Sequence, residues 1–440
     1  MAMDIKRLKP QVLLIVVVFT QLVYSQNVVT NDPSTISNLY INVNARYNHL
    51  ELTWRNFNDP NGYIVLAEDY PISAFQRRVL NLPWVPITFW EYSFGRDKKR
   101  GIYSVKPTES SGWIETYVTF NRNVLDKVDF NTSCYGYYGY FVDYNGSVKS
   151  VYCMKLHPTW MSDQRAKLGR FRLRELFIPG THDSSSYREA LPPLLWDTPV
   201  NKYSITQDDS IRDQLLQGAR YIDLRPAFYP LLKPPFYANH GVVSFHPLQV
   251  ILRQVQDYAL KTNEIIILDA HEFPVGFRNN NVHDKLVQYL KNSLSDVLAD
   301  PAIGWNSKLE DIWTRNRTVV LTYNDNYVAS KYADIVWSPV RQRWGNVQNV
   351  TKLKDYLYGV HQEGASSMVV ADMAELTATT LGAVTGVSPG LREMADSVNR
   401  HVTRWYFEDL GPTTNVVAVD FLRGTSIVDA ALYWNLKKVT

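Results

Sequence analysis

Apolar and polar positions alternate along the first third of the chain. Asn38 to Val43 and Leu50 to Arg55 switch face residue by residue. Tyr63 to Ala67, Trp113 to Phe120 and Tyr135 to Val142 are rich in aromatic and β-branched residues. Stretches of this period and length read as strands. The turn signals Asp59-Pro60-Asn61-Gly62 and Asn145-Gly146 separate them. Short strands with frequent turns predict a small all-β sandwich over 27–156.

From about Gln164 the pattern changes. Helical segments now separate short apolar runs, which end near Pro179, Leu224, Asn239, Leu268, Tyr323, Val336, Ala371 and Val419. Strands that alternate with helices form parallel sheets, and eight of them predict an α/β fold, a (β/α)8 TIM-type barrel over 165–440. Chemistry in such barrels sits where strands end and loops begin. The residues at those ends are His182 and Asp183, Asp223 and Arg225, His240, Asp269 and His271, Asp325, Asp372 and Asp420. Ionisable side chains therefore gather at one pole.

The first residues carry a different signal. Lys6, Arg7 and Lys9 precede an apolar run from Val12 to Tyr24, and Ser25 and Gln26 follow. A basic start, a short apolar core and a small exit residue predict a signal peptide over 1–25, with a signal anchor as the alternative. The expected location is secreted, extracellular, with no transmembrane segment after signal removal. In an oxidising compartment Cys134 and Cys153 are expected to pair, worth roughly 3 kcal/mol for so short a loop. Sequons at Asn131, Asn145, Asn316 and Asn349 agree with export as glycosylation sites. The polar end, Tyr433 to Thr440, predicts no glycolipid anchor. A net charge of +3 is too small to argue for nucleic acid, and no long Lys/Arg run suggests a polybasic membrane arm.

Two histidines, several carboxylates and an arginine make an acid–base kit with a phosphate clamp. Imidazole gives or takes a proton near neutral pH. A carboxylate behind it fixes the tautomer. Arginine offers two parallel donors to phosphoryl oxygens and keeps its charge. Other chemistries lack their motifs: there is no H-E-x-x-H, no P-loop and no dinucleotide glycine fingerprint.

Several motifs, in order, resemble the phosphatidylinositol-specific phospholipase C X-domain family. They are Phe177-Ile178-Pro179-Gly180-Thr181-His182-Asp183-Ser184, then Tyr203 to Gln207 with Gly218 to Arg225, then Asn239-His240-Gly241, then Glu264 to Glu272, and last Val416 to Phe421. The likeness runs from near 165 to the end, and the preceding strands resemble the β-sandwich of some animal X-domain proteins. The resemblance implies that His182 is the general base for the inositol 2-hydroxyl and that Asp420 orients it. It implies that His240 is the general acid for the diacylglycerol oxygen, supported by Asp183, and that Arg225 holds the phosphoryl oxygens. Calcium-dependent members carry a ligand where Arg225 stands and bacterial members an arginine, which implies no metal. Calcium held by Asp183, Asp223 and Asp269 is the alternative. Asp223, Asp269, His271 and Asp372 are candidates for substrate binding.

The implied reaction is cleavage of phosphatidylinositol or glycosylphosphatidylinositol at a membrane surface, releasing diacylglycerol and cyclic inositol phosphate. Two alternatives stay open: a phosphodiesterase on another phospholipid, and a non-catalytic module that binds lipid head groups. Apolar loops at Leu191 to Trp196 and Phe228 to Tyr237 are candidates for dipping into the membrane interface.

Overall fold

The computed structural model of the chain describes residues 38–68, 103–144, 148–188, 198–364 and 366–439. The 1–25 segment, Asn145 and the Leu191 to Trp196 loop lie outside them. The chain folds into two compact units. One comprises residues up to Ile41, Leu52–Ile114 and Gly136–Met154, and the other Asn42–Glu51, Glu115–Tyr135 and Lys155 onward.

The strands expected from the alternation are present in two sheets. β1 (Leu39–Val43), β2 (His49–Trp54) and β5 (Gly112–Thr119) form one, in the order β1-β2-β5. β3 (Tyr63–Ala67), β4 (Tyr103–Val105), β6 (Cys134–Val142) and β7 (Val148–Lys155) form the other, in the order β4-β3-β6-β7. β3 runs antiparallel to both β4 and β6. Val65, Ala67, Tyr140 and Val142 make a buried cluster with Tyr138, Val148 and Val151 against it. Cys134 and Cys153 are disulfide-bonded, tying the start of β6 to the end of β7. Asn131, Asn316 and Asn349 are exposed.

The larger unit is built on seven parallel strands in the order β14-β13-β9-β8-β17-β16-β15. These are β8 (Ile178–Thr181), β9 (Tyr221–Leu224), β13 (Ile266–Ala270), β14 (Val319–Tyr323), β15 (Arg341–Trp344), β16 (Val370–Met373) and β17 (Val416–Val419). Three strands lie between β15 and β9, yet Gln342 Nε2 is 2.9 Å from Tyr221 Oη. The sheet therefore curls until its interior side chains meet. Gly180 faces Tyr221 so closely that a Cβ there would fall 2.7 Å from the tyrosine Cβ.

Helices cover the outside. Leu248–Thr262 buries Leu248, Ile251, Leu252, Val255, Tyr258 and Ala259, the three- and four-residue spacing of one helical face. Asn263 ends it in the left-handed conformation.

Two of the eight expected strands are corrected. The run ending near Asn239 is not a barrel strand. β10 (Pro226–Phe228), β11 (Phe236–His240) and β12 (Val243–Pro247) form a separate antiparallel sheet. A parallel return needs a crossover of about a dozen residues or more, usually a helix, and only a short loop follows β10. The run ending near Val336 contributes only an isolated bridge, Thr322 to Trp337. The strand in its place is β15, whose polar sequence Arg-Gln-Arg-Trp carries no apolar signal. Among the described residues the parallel sheet thus has seven strands, not eight.

Candidate active site

β8 delivers the first histidine. The His182 N–H donates to the Val419 carbonyl at 3.1 Å, which continues the ladder to β17. Asp183 then turns with φ of 35°, a left-handed conformation uncommon for a residue with a Cβ. Its N–H is held by Asp223 Oδ2 at 2.8 Å, and Ser184 Oγ takes the Asp223 N–H at 2.8 Å. These two bonds lock the ends of β8 and β9 together.

The two ring nitrogens of His182 have different partners. Nδ1 lies 2.8 Å from Asp420 Oδ1, just beyond β17, and Nε2 lies 2.8 Å from Arg225 Nη2. A guanidinium only donates. Nε2 is therefore the acceptor, and the proton sits on Nδ1, facing Asp420. Burial opposes the charged imidazole, but the Glu375 and Asp420 carboxylates outweigh it and push the ring up to about 10. A protonated Nε2 would set two donors face to face, so the Arg225 contact decides the resting form. The result is a ring of high proton affinity held with its acceptor free of hydrogen.

Arg225 is nearly buried and crowded by anions. Its Nε and Nη2 donate to Asp223 Oδ2 at 3.3 and 3.1 Å, and its Nη1 to Glu272 Oε2 at 3.3 Å. Asp183 Oδ2 stands 3.8 Å from Nε. Burial opposes its charge, but Asp223, Asp183 and Glu272 more than offset that and hold the guanidinium well above its usual value.

His240 ends β11, and Gly241 turns the chain with φ of 53°. Its Nδ1 meets the Ser204 carbonyl at 2.9 Å, while Asp183 Oδ2 is 3.8 Å away. The carbonyl, not Asp183, therefore makes the hydrogen bond to the imidazole. Burial and the charge of Arg225 push His240 down to about 3, so it rests neutral. Neither oxygen of Asp183 has a hydrogen bond of ordinary geometry, and burial lifts this carboxyl to about 7.

The four candidates for substrate binding separate. Asp223 is fully buried, and the charge of Arg225 outweighs burial to hold its carboxyl below the usual range. Register sets it beside Asp269 and sets Asp269 beside Thr322. Asp269 accepts from Tyr221 Oη and Thr322 Oγ1, both at 2.7 Å, and lies 3.1 Å from His271 Nδ1. Both aspartates are internal supports rather than substrate contacts. His271 remains at the pole. Burial opposes its charge, but its bond to Asp269 raises its affinity for a proton.

Asp372 is corrected outright. Its carboxylate is 2.6 Å from Arg343 Nε, 2.8 Å from His361 Nε2 and 2.8 Å from Tyr406 Oη. Register places it opposite Arg343, and places Ala371 opposite the inward-reaching Gln342. Side chains alternate along a strand, so Asp372 points out toward the helices. The strand end was legible in the sequence, but the face was not.

Three contributors escaped the site reading. Glu272 pairs with Arg225, Gln342 reaches Tyr221 and Asp223, and the Ser204 carbonyl orients His240. Glu375, two residues beyond β16, is buried with both oxygens unpartnered and is lifted by burial to about 7. Its electrostatic neighbours are His182, Asp420, Arg225 and Asp223.

No family model matches the chain. It is 25% identical over 321 residues to human PI-PLC X domain-containing protein 1, which covers 67% of this chain and 98% of that protein. It is 24% identical over 291 residues to variant-surface-glycoprotein phospholipase C of Trypanosoma brucei brucei, covering 57% of this chain and 80% of that one. Among solved structures, phosphatidylinositol-specific phospholipase C from Listeria monocytogenes aligns at 19% identity with a TM-score of 0.47, over 64% of this chain and 98% of its own. The resemblance read from the motifs is met: the relatives of this chain include PI-PLC X domain-containing proteins.

Proposed function

We propose that the protein cleaves the phosphodiester of an inositol phospholipid, phosphatidylinositol or its glycosylated form, by His/His acid–base catalysis. The observation that carries this reading is His182, hydrogen-bonded on one nitrogen to Asp420 and on the other to Arg225. A phosphoryl group that draws the guanidinium onto its own oxygens frees Nε2 as a base. Nε2 takes the proton of the inositol 2-hydroxyl, and that oxygen attacks phosphorus. Asp420 stabilises the imidazolium that forms. The P–O bond to diacylglycerol breaks, and His240 gives the leaving oxygen a proton. The products are diacylglycerol and a cyclic inositol phosphate. Arg225 holds the negative charge that develops on the phosphoryl oxygens.

His240 rests neutral, so its acid proton must arrive with substrate. An anionic phosphodiester in front of Arg225 offsets the charge that suppresses His240. A relative named phospholipase C supports this class of reaction.

Calcium does not fit these residues. Arg225 sits against two of the three expected ligands, Asp183 and Asp223, and the oxygens of Asp269 are occupied by Tyr221, Thr322 and His271. Export through the 1–25 segment and glycosylation at exposed Asn131, Asn316 and Asn349 complete the proposal of a secreted enzyme that meets its lipid at a membrane surface.

The test is cleavage of phosphatidylinositol vesicles by purified protein, with excess chelator, beside His182→Ala. Activity that survives chelation and is lost in the variant is the expected result. Activity only with added calcium would overturn the role of Arg225. No cleavage of any inositol lipid by folded protein would overturn the reading itself.

A further inference from the structure

At rest the guanidinium of Arg225 is already engaged. Nε and Nη2 hold Asp223, Nη2 also meets His182, and Nη1 holds Glu272. A phosphoryl group that needs two parallel donors must take the place of a partner. Asp223 cannot yield, because it is fully buried and also holds the Asp183 N–H in the turn that carries the first histidine. His182 has only one acceptor nitrogen on this side, and its release exposes one donor. Glu272 is different in kind. Its side chain is 50% exposed while that of Arg225 is 9% exposed, so its carboxylate can swing into water and regain full hydration. It also stands beyond the end of β13, at the pole where loops begin.

We propose that Glu272 is a displaceable internal counter-ion: its carboxylate occupies the anion position on Arg225 and an incoming phosphoryl group must evict it. The proposal rests on the reading of Arg225 as the phosphate clamp. It gives the site a threshold. A free phosphate ion competes with Glu272 using its charge alone, whereas a substrate brings the added binding of its head group and lipid. Glu272 thus selects against small anions, and its neutral variant loses that selection. A residue that merely positioned Arg225 would act in the opposite direction, since its loss would loosen the clamp and weaken anion binding.

The sign of the effect is therefore the test. Binding of inorganic phosphate to the full chain is measured by titration calorimetry for wild type, Glu272→Gln and Arg225→Lys. Glu272→Gln keeps the shape and removes the charge of a half-exposed side chain. Its expected Kd is about two- to fivefold lower than wild type, as the loss of such an ion pair implies. The difference shrinks at high salt, which screens an exposed pair. Arg225→Lys binds more weakly, because the paired donors are gone. Phosphate binding that is equal or weaker in Glu272→Gln, with wild-type binding intact, overturns the inference and leaves the clamp standing. Binding undiminished in Arg225→Lys places the ion elsewhere and overturns it too. Phosphate bound by none of the three proteins overturns both the inference and the clamp reading.

Discussion

A carboxylate buried without a partner carries a large desolvation cost unless it holds a proton. Glu375 is in this position, with both oxygens unpartnered and its value lifted to about 7 by burial. The sign of the consequence follows. The native state holds the Glu375 proton more tightly than the unfolded chain does, so the contribution of this group to stability is whole below about 4.5 and is lost as pH rises through about 7. Glu375→Gln is expected to raise the melting temperature at pH 8 by a few degrees, with the gain vanishing toward pH 4. Thermal melts across that range check it. Asp420 acts differently, by choosing a tautomer. In Asp420→Asn the amide can donate to Nδ1, which moves the imidazole proton to Nε2, against Arg225 and onto the nitrogen proposed to accept the 2-hydroxyl proton. The expected loss in kcat is on the order of 10⁴-fold with little change in folding, read from initial rates and circular dichroism.

At the scale of elements, the strand ends meet because buried polar groups hold them. Arg220, just before β9, is fully buried. It donates to Glu264 at 2.6 Å and to the carbonyls of Leu215, Ala219, His157 and Pro158. Glu264 in turn accepts the N–H groups of Met161 and Ser162. One side-chain pair thus ties the start of β9 to the segment preceding β8. Glu264→Ala leaves a buried guanidinium without its counter-charge and is expected to cost about 3–5 kcal/mol in urea unfolding. Elements with a strong apolar run, such as β13 and β14, were legible in sequence because both their faces are buried. β15 was not, since its residues are polar and its strand state comes from pairing with β16.

At the scale of the whole molecule, the proposed lipid substrate requires the site to meet a membrane. No helix among the described residues is long and apolar enough to cross one. The antiparallel sheet that carries His240 also carries exposed apolar residues. Leu231 is 94% exposed and Leu232 45%, both in the loop between β10 and β11, and Val242 is 85% exposed beside His240. Leu231→Ser is expected to lower partition onto phosphatidylinositol vesicles about five- to tenfold, as the loss of one interfacial leucine implies. Sedimentation with the vesicles measures it. On the proposed function, cleavage of vesicles is expected to fall far more than cleavage of a short-chain monomeric substrate.

The sequence by itself placed the candidate ionisable residues at the strand ends. Motifs around His182, Arg225, His240 and Asp420 are local, each a strand end followed by a turn, and local chemistry is written in consecutive residues. It also determined the disulfide, since the chain has two cysteines. Tertiary structure decided what depends on faces and on distant neighbours. Strand parity turned Asp372 outward and Gln342 inward. Hydrogen-bond saturation made Asp223 and Asp269 supports, and the Ser204 carbonyl took the bond to His240 that Asp183 was expected to make. Sheet curvature closed the interior with seven strands where the apolar pattern suggested eight. A residue type states what a side chain can do, while the register and curl of the sheet decide which other groups it meets.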